Sequence, residues 1–384
     1  MKSQRIVLWW RRMAVMTIKE LKQLYRDPIL LIIIVYFFTA DVYMAGAGMS
    51  MDLHNGAIAT MDHDHSASSR ELTYRLQPPY FDLKGEVFDM KTARNLLDNG
   101  EVQAILDIPT HFQHDLLLGK PVTLQLQVDA SNTSLGTLIS SYVGEISARF
   151  GQDFSLQRLG LNTEKLQATP IISDRHRVLY NPNQTDSWFM SISELLTVIT
   201  MLSMMLPAAA AVREKERGTI EQLTVSPLTP LQILLPKVLA MGLVILFATA
   251  VCLYWVIVPA FHMPIRGSSI LFFSVTALYV FATSGIGLFI AAISRNLGQV
   301  SMLVMLILMP ILLLSGAWTP PEAMPTGLRY AMYISPLYYY IEMGYDILLK
   351  GAGLDILWDY VLGLILLGSV IFSLGIWRFK RQFV

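Results

Sequence analysis

Polar and apolar residues follow one another along this chain in long blocks. Apolar runs close to the roughly 20 residues that carry a helix across a bilayer occupy 29–48, 189–212, 231–260, 269–293, 299–318 and 355–377. Six spans are predicted. A polar stretch, about 50–186, parts the first span from the other five. There the period changes. PVTLQLQV at 121–128 alternates strictly, with Val122, Leu124, Leu126 and Val128 on one face, which predicts a half-buried strand. EVQAILDI is a second strand candidate. KTARNLLDNG reads as a helix stopped by Gly100, PTHFQHDLLLGK as one stopped by Gly119, and SNTSLGTLISSYVGEISARF as a longer one. The fold class expected is an α-helical polytopic membrane protein of six transmembrane helices with an inserted α/β extracytoplasmic domain.

Lysine and arginine orient the spans. Lys2, Arg5, Arg11, Arg12, Lys19, Lys22 and Arg26 precede the first. Arg213, Lys215 and Arg217 follow the second, Arg295 follows the fourth, and Arg378, Lys380 and Arg381 follow the sixth. The short loops opposite hold only Arg266, Arg329 and Lys350. Both termini are therefore expected in the cytoplasm, which divides the chain into an interfacial segment 1–28, span 29–48, a periplasmic domain 49–187 and the remaining spans within 188–384. Residues 5–25 mix cations with Ile6, Trp9, Trp10, Met13, Met16, Leu21 and Leu24. Such a helix either lies on the inner leaflet or packs on protein in the cytosol. Asp27 then suits a cap and Pro28 the first helical position. The long basic lead has no clean cleavage site, so a removed signal peptide is not expected.

Composition sharpens this picture. The chain is 53% hydrophobic and 15% charged, with mean hydropathy +0.47, which excludes an ordinary soluble domain. Net charge is zero, so no bulk field calls for nucleic acid. Cys252 is the single cysteine and cannot form a disulfide within the chain. No G-x-x-x-x-G-K-[ST] phosphate loop occurs, so the chain binds no ATP through one. MDHDHSASS at 61–69 places His63 and His65 beside Asp62 and Asp64, a pattern open to metal, but its serine-rich setting reads as a loop and no metal is expected. Asp41 and Glu194 are acids within or near spans, where an ionised group is costly. They sit at the outer interface or line a substrate path.

VREKERGTIEQLTVSPLTP at 212–230 lies between two spans. Arg213-Glu214-Lys215-Glu216-Arg217 is wholly polar. Gly218 suits a helix ending in left-handed geometry. Thr219 and Gln222 have capping-box spacing, and Ile220 and Leu223 share a face. Ser226-Pro227 stops that short helix. Thr229 and Gln232 repeat the box, with Pro230 at the first position of the next span. The corner is either a rigid knuckle offered to a partner or simply a well-made connector.

REKERGTIEQLTVSPLTPLQILLPK resembles the signature of ABC-2 type transporter permeases, R-E-x-E-x-G-T-x-E-x-L-x-x-x-P-x, with no departure at Glu214, Glu216, Gly218, Thr219 or Glu221. LSGAWTPPEAMPTGLRYAMYISPLYYYIE and YNPNQTDSWF are similar to that family's stretches after the fifth span and before the second. The resemblance covers nearly the whole chain. It implies a permease that binds no cofactor itself and is powered by separate ABC ATPase subunits holding ATP and Mg. It implies pairing with a second permease, identical or a close paralogue, in a bacterial inner membrane. The segment near 214–226 would be the coupling helix, with Arg213, Glu214, Glu216, Gly218, Thr219, Ile220, Glu221 and Leu223 contacting the ATPase or fixing the corner. Residues near 319–350 would form an outer lid of short helices whose tyrosines make an interfacial belt or an aromatic cage. Relatives with large outer domains are linked to membrane-fusion adaptors and drug efflux, which implies export of an amphipathic or drug-like substrate. An ion-coupled secondary transporter would need more buried acids than Asp41 and Glu194. A membrane-anchored sensor would need only one span.

Overall fold

A computed structural model describes residues 2–48, 53, 55–129, 131, 133–158, 180–183, 185–218, 229–317, 319, 321 and 324–381. The chain divides into two compact units, Met1–Ser50 with Arg177–Val384, and Met51–His176.

The first unit is helical. Helix α1 spans Lys2–Tyr25. Asp27 then caps α2, Pro28–Gly48, by accepting from the Leu30 amide at 3.1 Å, with Pro28 at the first position. The later spans are α7 (Asp186–Glu216), α8 (from Pro230 through a π turn at Cys252–Ile257 to Phe261), α9 (Ser269–Ile293) and α13 (Leu354–Lys380). Among the described residues, five helices are long and apolar enough to cross a membrane. The stretch expected to cross at 299–318 forms a shorter helix, α10 (Leu297–Leu313), of 17 residues. At 1.5 Å per residue it reaches about 26 Å against roughly 30 Å of hydrocarbon. It stops where the Ser315 hydroxyl takes the Leu312 carbonyl at 2.6 Å and Gly316 turns to φ +85°.

Burial ranks these helices. The apolar window of α7 is 89% buried and that of α9 67%, whereas α13 is 17% and α2 28% buried. Helices α7 and α9 therefore form the centre, and α2 and α13 turn most of their apolar surface outward. Two devices join the central helices. Hydroxyls pair across them: Thr200 with Tyr279 at 2.8 Å and Ser203 with Thr283 at 2.6 Å. Small residues let backbones approach. A Cβ at Gly287 would strike the backbone of Met204 on α7, and one at Gly285 would strike the backbone of Phe372 on α13.

The segment expected as a lid contains α11 (Thr326–Ala331), a 3-10 turn and α12 (Pro336–Tyr345), continued by a π turn to Lys350. Its tyrosines do not act alike. Tyr330 and Tyr333 are exposed, as a belt requires. Tyr340 is fully buried, stacked on Tyr279 with centroids 4.0 Å apart and bonded to Thr276 at 2.9 Å.

The second unit holds strands β1 (Gly56–Asp62), β2 (Phe81–Glu86), β3 (Ala104–Ile108) and β4 (Gln125–Val128), with helices α3 (Ala67–Arg75), α4 (Met90–Asp98), α5 (Phe112–Leu118) and α6 (Thr133–Arg158). The sheet order is β2-β1-β3-β4, with β1 parallel to both neighbours and β4 antiparallel to β3. Ile58, Leu72, Phe81, Leu106, Phe112 and Phe150 are core residues on one side of it. Strand β4 takes only the second half of 121–128. Helices α4 and α5 end at Gly100 and Gly119, whose φ of +70° and +75° need glycine's freedom. Strand β1 is central and buried on nearly every residue, so it lacks alternation and was not foreseen in the sequence.

Candidate functional site

Helix α7 carries its membrane run straight into Arg213-Glu214-Lys215-Glu216, its last turn. Four consecutive residues point around a full helical turn, because each step rotates by about 100°. Each therefore meets a different neighbour. Arg213 Nη1 donates to Asp27 Oδ2 at 2.6 Å, holding the residue that caps α2. Glu214 Oε1 lies 2.9 Å from Lys19 Nζ on α1 and 2.9 Å from Lys237 Nζ on α8. Lys215 Nζ donates to the Ala291 carbonyl and lies 3.4 Å from those of Ala292 and Ser294, the exposed carbonyl end of α9. A cation there meets the negative pole of the helix. Glu216 Oε1 accepts from the Leu297 amide at 3.1 Å, at the positive start of α10. One turn of α7 thus ties together α1, α2, α8, α9 and α10.

The centre of this hub is an ion cluster. Lys237 is 1% exposed and bonds Glu20 Oε1 at 2.8 Å as well as Glu214. Lys19 lies 3.6 Å from Glu20. Two cations and two carboxylates balance, which is how buried charge is tolerated. Burial pulls the Lys19 ammonium down, but its hydrogen bond to Glu214 and the charges of Glu214 and Glu20 hold it above its ordinary value. Glu20 and Lys237 were missed in the sequence. A signal existed: Lys237 is a cation inside an apolar run, which asks for a partner.

Beyond the hub, the chain leaves α7 as expected. Gly218 sits at φ +66° and its amide donates to the Lys215 carbonyl at 3.1 Å. Thr219, Ile220, Glu221 and Leu223, with the short helix read at 219–226, lie outside the described residues. The chain is described again from Thr229, which forms the foreseen capping box with Gln232 and launches α8 at Pro230.

At the other end of α7, the Glu194 carboxyl faces that of Asp41 within hydrogen-bonding reach, both half-buried. Asp41 closes a π turn, Phe37–Asp41, in α2. Their sequence separation hid this meeting. The motif before α7 is explained locally: Asn181 bonds both the amide and the carbonyl of Thr185, at 3.0 Å each. In the sheet unit, ligand atoms of Asp62, His65 and Glu86 lie within 4.8 Å of one another. Asp62 Oδ1 already accepts the amides of Asp64 and His65, so its carboxylate closes the turn that leads into α3.

Comparison with known proteins agrees with this architecture. Residues 28–377 match the model of the ABC-2 family transporter protein family. The chain is 34% identical over 364 residues to the inner membrane transport permease YhhJ of Escherichia coli, covering 95% of this chain and 96% of that one. It is 28% identical to the probable multidrug ABC transporter permease YbhR of the same organism, over 95% and 97% of the two chains. It is 25% identical to the probable multidrug ABC transporter permease YbhS, over 90% of each.

Proposed function

The chain belongs to the ABC-2 family of transporter permeases, and from that premise we propose that it is the membrane-spanning subunit of an ATP-driven exporter. The observation that carries the mechanism is the hub. A force applied to the corner that follows Gly218 enters α7 at a turn bonded to five other helices, so the helices respond together. A separate ABC ATPase is proposed to dock on 219–226, with Ile220, Glu221 and Leu223 facing it. ATP and Mg stay in that subunit. Arg213, Glu214 and Glu216 then fix the geometry of the corner, because their partners lie within this chain. Nucleotide binding works on the permease only by favouring one of its conformations over another.

Helix α10 is proposed as a further crossing, fifth in chain order, which brings the number to six. An even number of crossings places every lysine- and arginine-rich end on the cytoplasmic side. Residues 49–187 are then periplasmic and the membrane is a bacterial inner membrane, as the name of YhhJ states for that relative. The names of YbhR and YbhS favour a drug-like or amphipathic substrate. A second permease, identical or paralogous, completes the path, Asp41 and Glu194 line its outer part, and a periplasmic membrane-fusion adaptor is a further proposed partner.

The test is capture of the tagged chain from its native membrane in mild detergent, with mass spectrometry of the eluate. An ABC ATPase is expected to co-elute. Glu221→Lys is expected to release it while the melting midpoint of the permease stays unchanged. A folded permease that brings no ATPase overturns the reading.

A further inference from the structure

A cavity of about 610 Å³ opens beside the hub, between α1 and the end of α7. That volume is in the range of small-molecule sites. Its lining brings together Lys19, Lys22, Arg26, Arg213 and Arg217 with the carboxylate of Asp27; Lys19 is paired with Glu214 and Arg213 with Asp27, whereas Lys22, Arg26 and Arg217 are exposed. Arg213 is the informative member. It is 8% exposed, and its Nε has no hydrogen-bond partner among the described residues. A buried guanidinium N–H left unmade is costly, and the guanidinium fork suits a planar pair of anionic oxygens. Asp27 takes one arm of that fork, and the Arg213 side chain forms part of the cavity wall.

We propose that this cavity binds the phosphate headgroup of an anionic phospholipid. Phosphate chemistry follows from Lys22, Arg26 and Arg217, three exposed cations on one wall beside the guanidinium of Arg213. A lipid rather than a soluble phosphate follows from the rest of the wall. Val15 and Ile18 line the same cavity and are 59% and 52% exposed. From Asp27 the chain passes directly into α2, where Ile29 and Ile32 are 69% and 68% exposed. A headgroup held by the cations thus has an apolar track for its chains beginning at the next residues. Basic pockets on the cytoplasmic side of spanning helices are built for such headgroups. The site is independent of any ATPase, and it makes lipid charge a determinant of how firmly α1 is held to α7.

The test is a titration of the purified, full-length chain in neutral maltoside detergent, read by microscale thermophoresis. Phosphatidylglycerol and phosphatidylcholine of identical chains are compared, with inorganic phosphate as a competitor. Saturable binding of phosphatidylglycerol over phosphatidylcholine is expected, undisturbed by millimolar phosphate. Arg213→Gln breaks the Asp27 pair and threatens folding, so the deciding variant changes exposed groups only: Lys22→Gln, Arg26→Gln and Arg217→Gln together. One basic group near a lipid surface is worth roughly fivefold, so the triple variant should weaken phosphatidylglycerol binding on the order of a hundredfold. The paired control Arg11→Gln and Arg12→Gln, on the same helix but outside the cavity, should weaken it far less. Equal binding of both lipids overturns the proposal. So does an equal loss per charge in the control, or full displacement by phosphate, which marks a soluble-anion site. If the triple variant keeps its lipid preference and instead loses a cytoplasmic protein that the native chain retains, the groove is a protein-docking face and the proposal fails.

Discussion

Lys237 and Lys19 both reach Glu20 and Glu214, and their surroundings set very different consequences for losing each. Lys237 is enclosed and bonds both Glu20 and Glu214. Removing it leaves two acids facing one partly exposed cation. Breaking a buried pair in this way costs about 3–5 kcal/mol. Lys19 is 46% exposed at its side chain, so its own charge is already partly solvated, and its loss leaves Lys237 bonded to both acids, which makes the cost smaller, about 1 kcal/mol. Lys237→Met is therefore expected to lower the melting midpoint of the solubilised permease strongly and Lys19→Met only slightly. Equal effects would show that the cluster is not the closed charge balance described here. The residue scale also explains why the corner is so polar: each charge of 213–216 has its own address in the chain.

At the scale of elements, the bundle rests on close approach as much as on apolar area. Gly375 has the Gly285 carbonyl where a Cβ would stand, and Gly368 has the Ala282 side chain there. Helices α9 and α13 touch backbone to backbone at Gly375 and across a single methyl at Gly368. Gly375→Leu is expected to separate them and to abolish the monodisperse peak in size-exclusion chromatography. Gly144 and Gly151 lie mid-helix in α6 with open space around them. Alanine at either is expected to be tolerated and to stabilise α6 by roughly 0.5–1 kcal/mol, since it removes only glycine's excess freedom in the unfolded chain. If all these substitutions behave alike, the packing account is wrong.

For the whole molecule, the division at Met51 and His176 predicts that a fragment of residues 50–186 folds alone, because strands, helices and an apolar core lie together within it. Two of the carboxylates that shape its pH response are Asp64 and Asp89. Burial pushes the Asp64 carboxyl up, but the Gln113 amide, the Ser66 hydroxyl and the amides of His111 and Phe112 outweigh it and hold it below the ordinary range. The hydroxyl and amide of Thr92 lower that of Asp89, which caps α4. Both groups bind protons more weakly folded than unfolded. Their stabilisation is full above the unfolded value near 4 and is lost as pH falls through the folded values. The fragment should give a dispersed NMR spectrum at pH 6 and melt at lower temperature at pH 3. A collapsed spectrum at pH 6 would refute its independence.

The sequence alone determined what depends on local pattern. Long apolar runs marked the spans, Asp27-Pro28 and Thr229-Pro230 marked helix starts, and Gly218 marked the end of α7. Each of these acts within one or two turns, so neighbours in sequence suffice to read it. The family too was legible, through motifs of contiguous residues. Distant pairing was not. Glu20 meets Lys237, Asp41 faces Glu194, and Arg213 reaches Asp27 only because separate helices fold together, and hydropathy says nothing of which faces meet. Strand β1 was hidden because burial on both faces erased its alternation. The fifth apolar run read as continuing to 318, yet the Leu312 carbonyl found the Ser315 hydroxyl and the chain turned at Gly316. Length of an apolar run sets a helix's upper bound, and hydrogen bonds and packing at its ends decide where it stops.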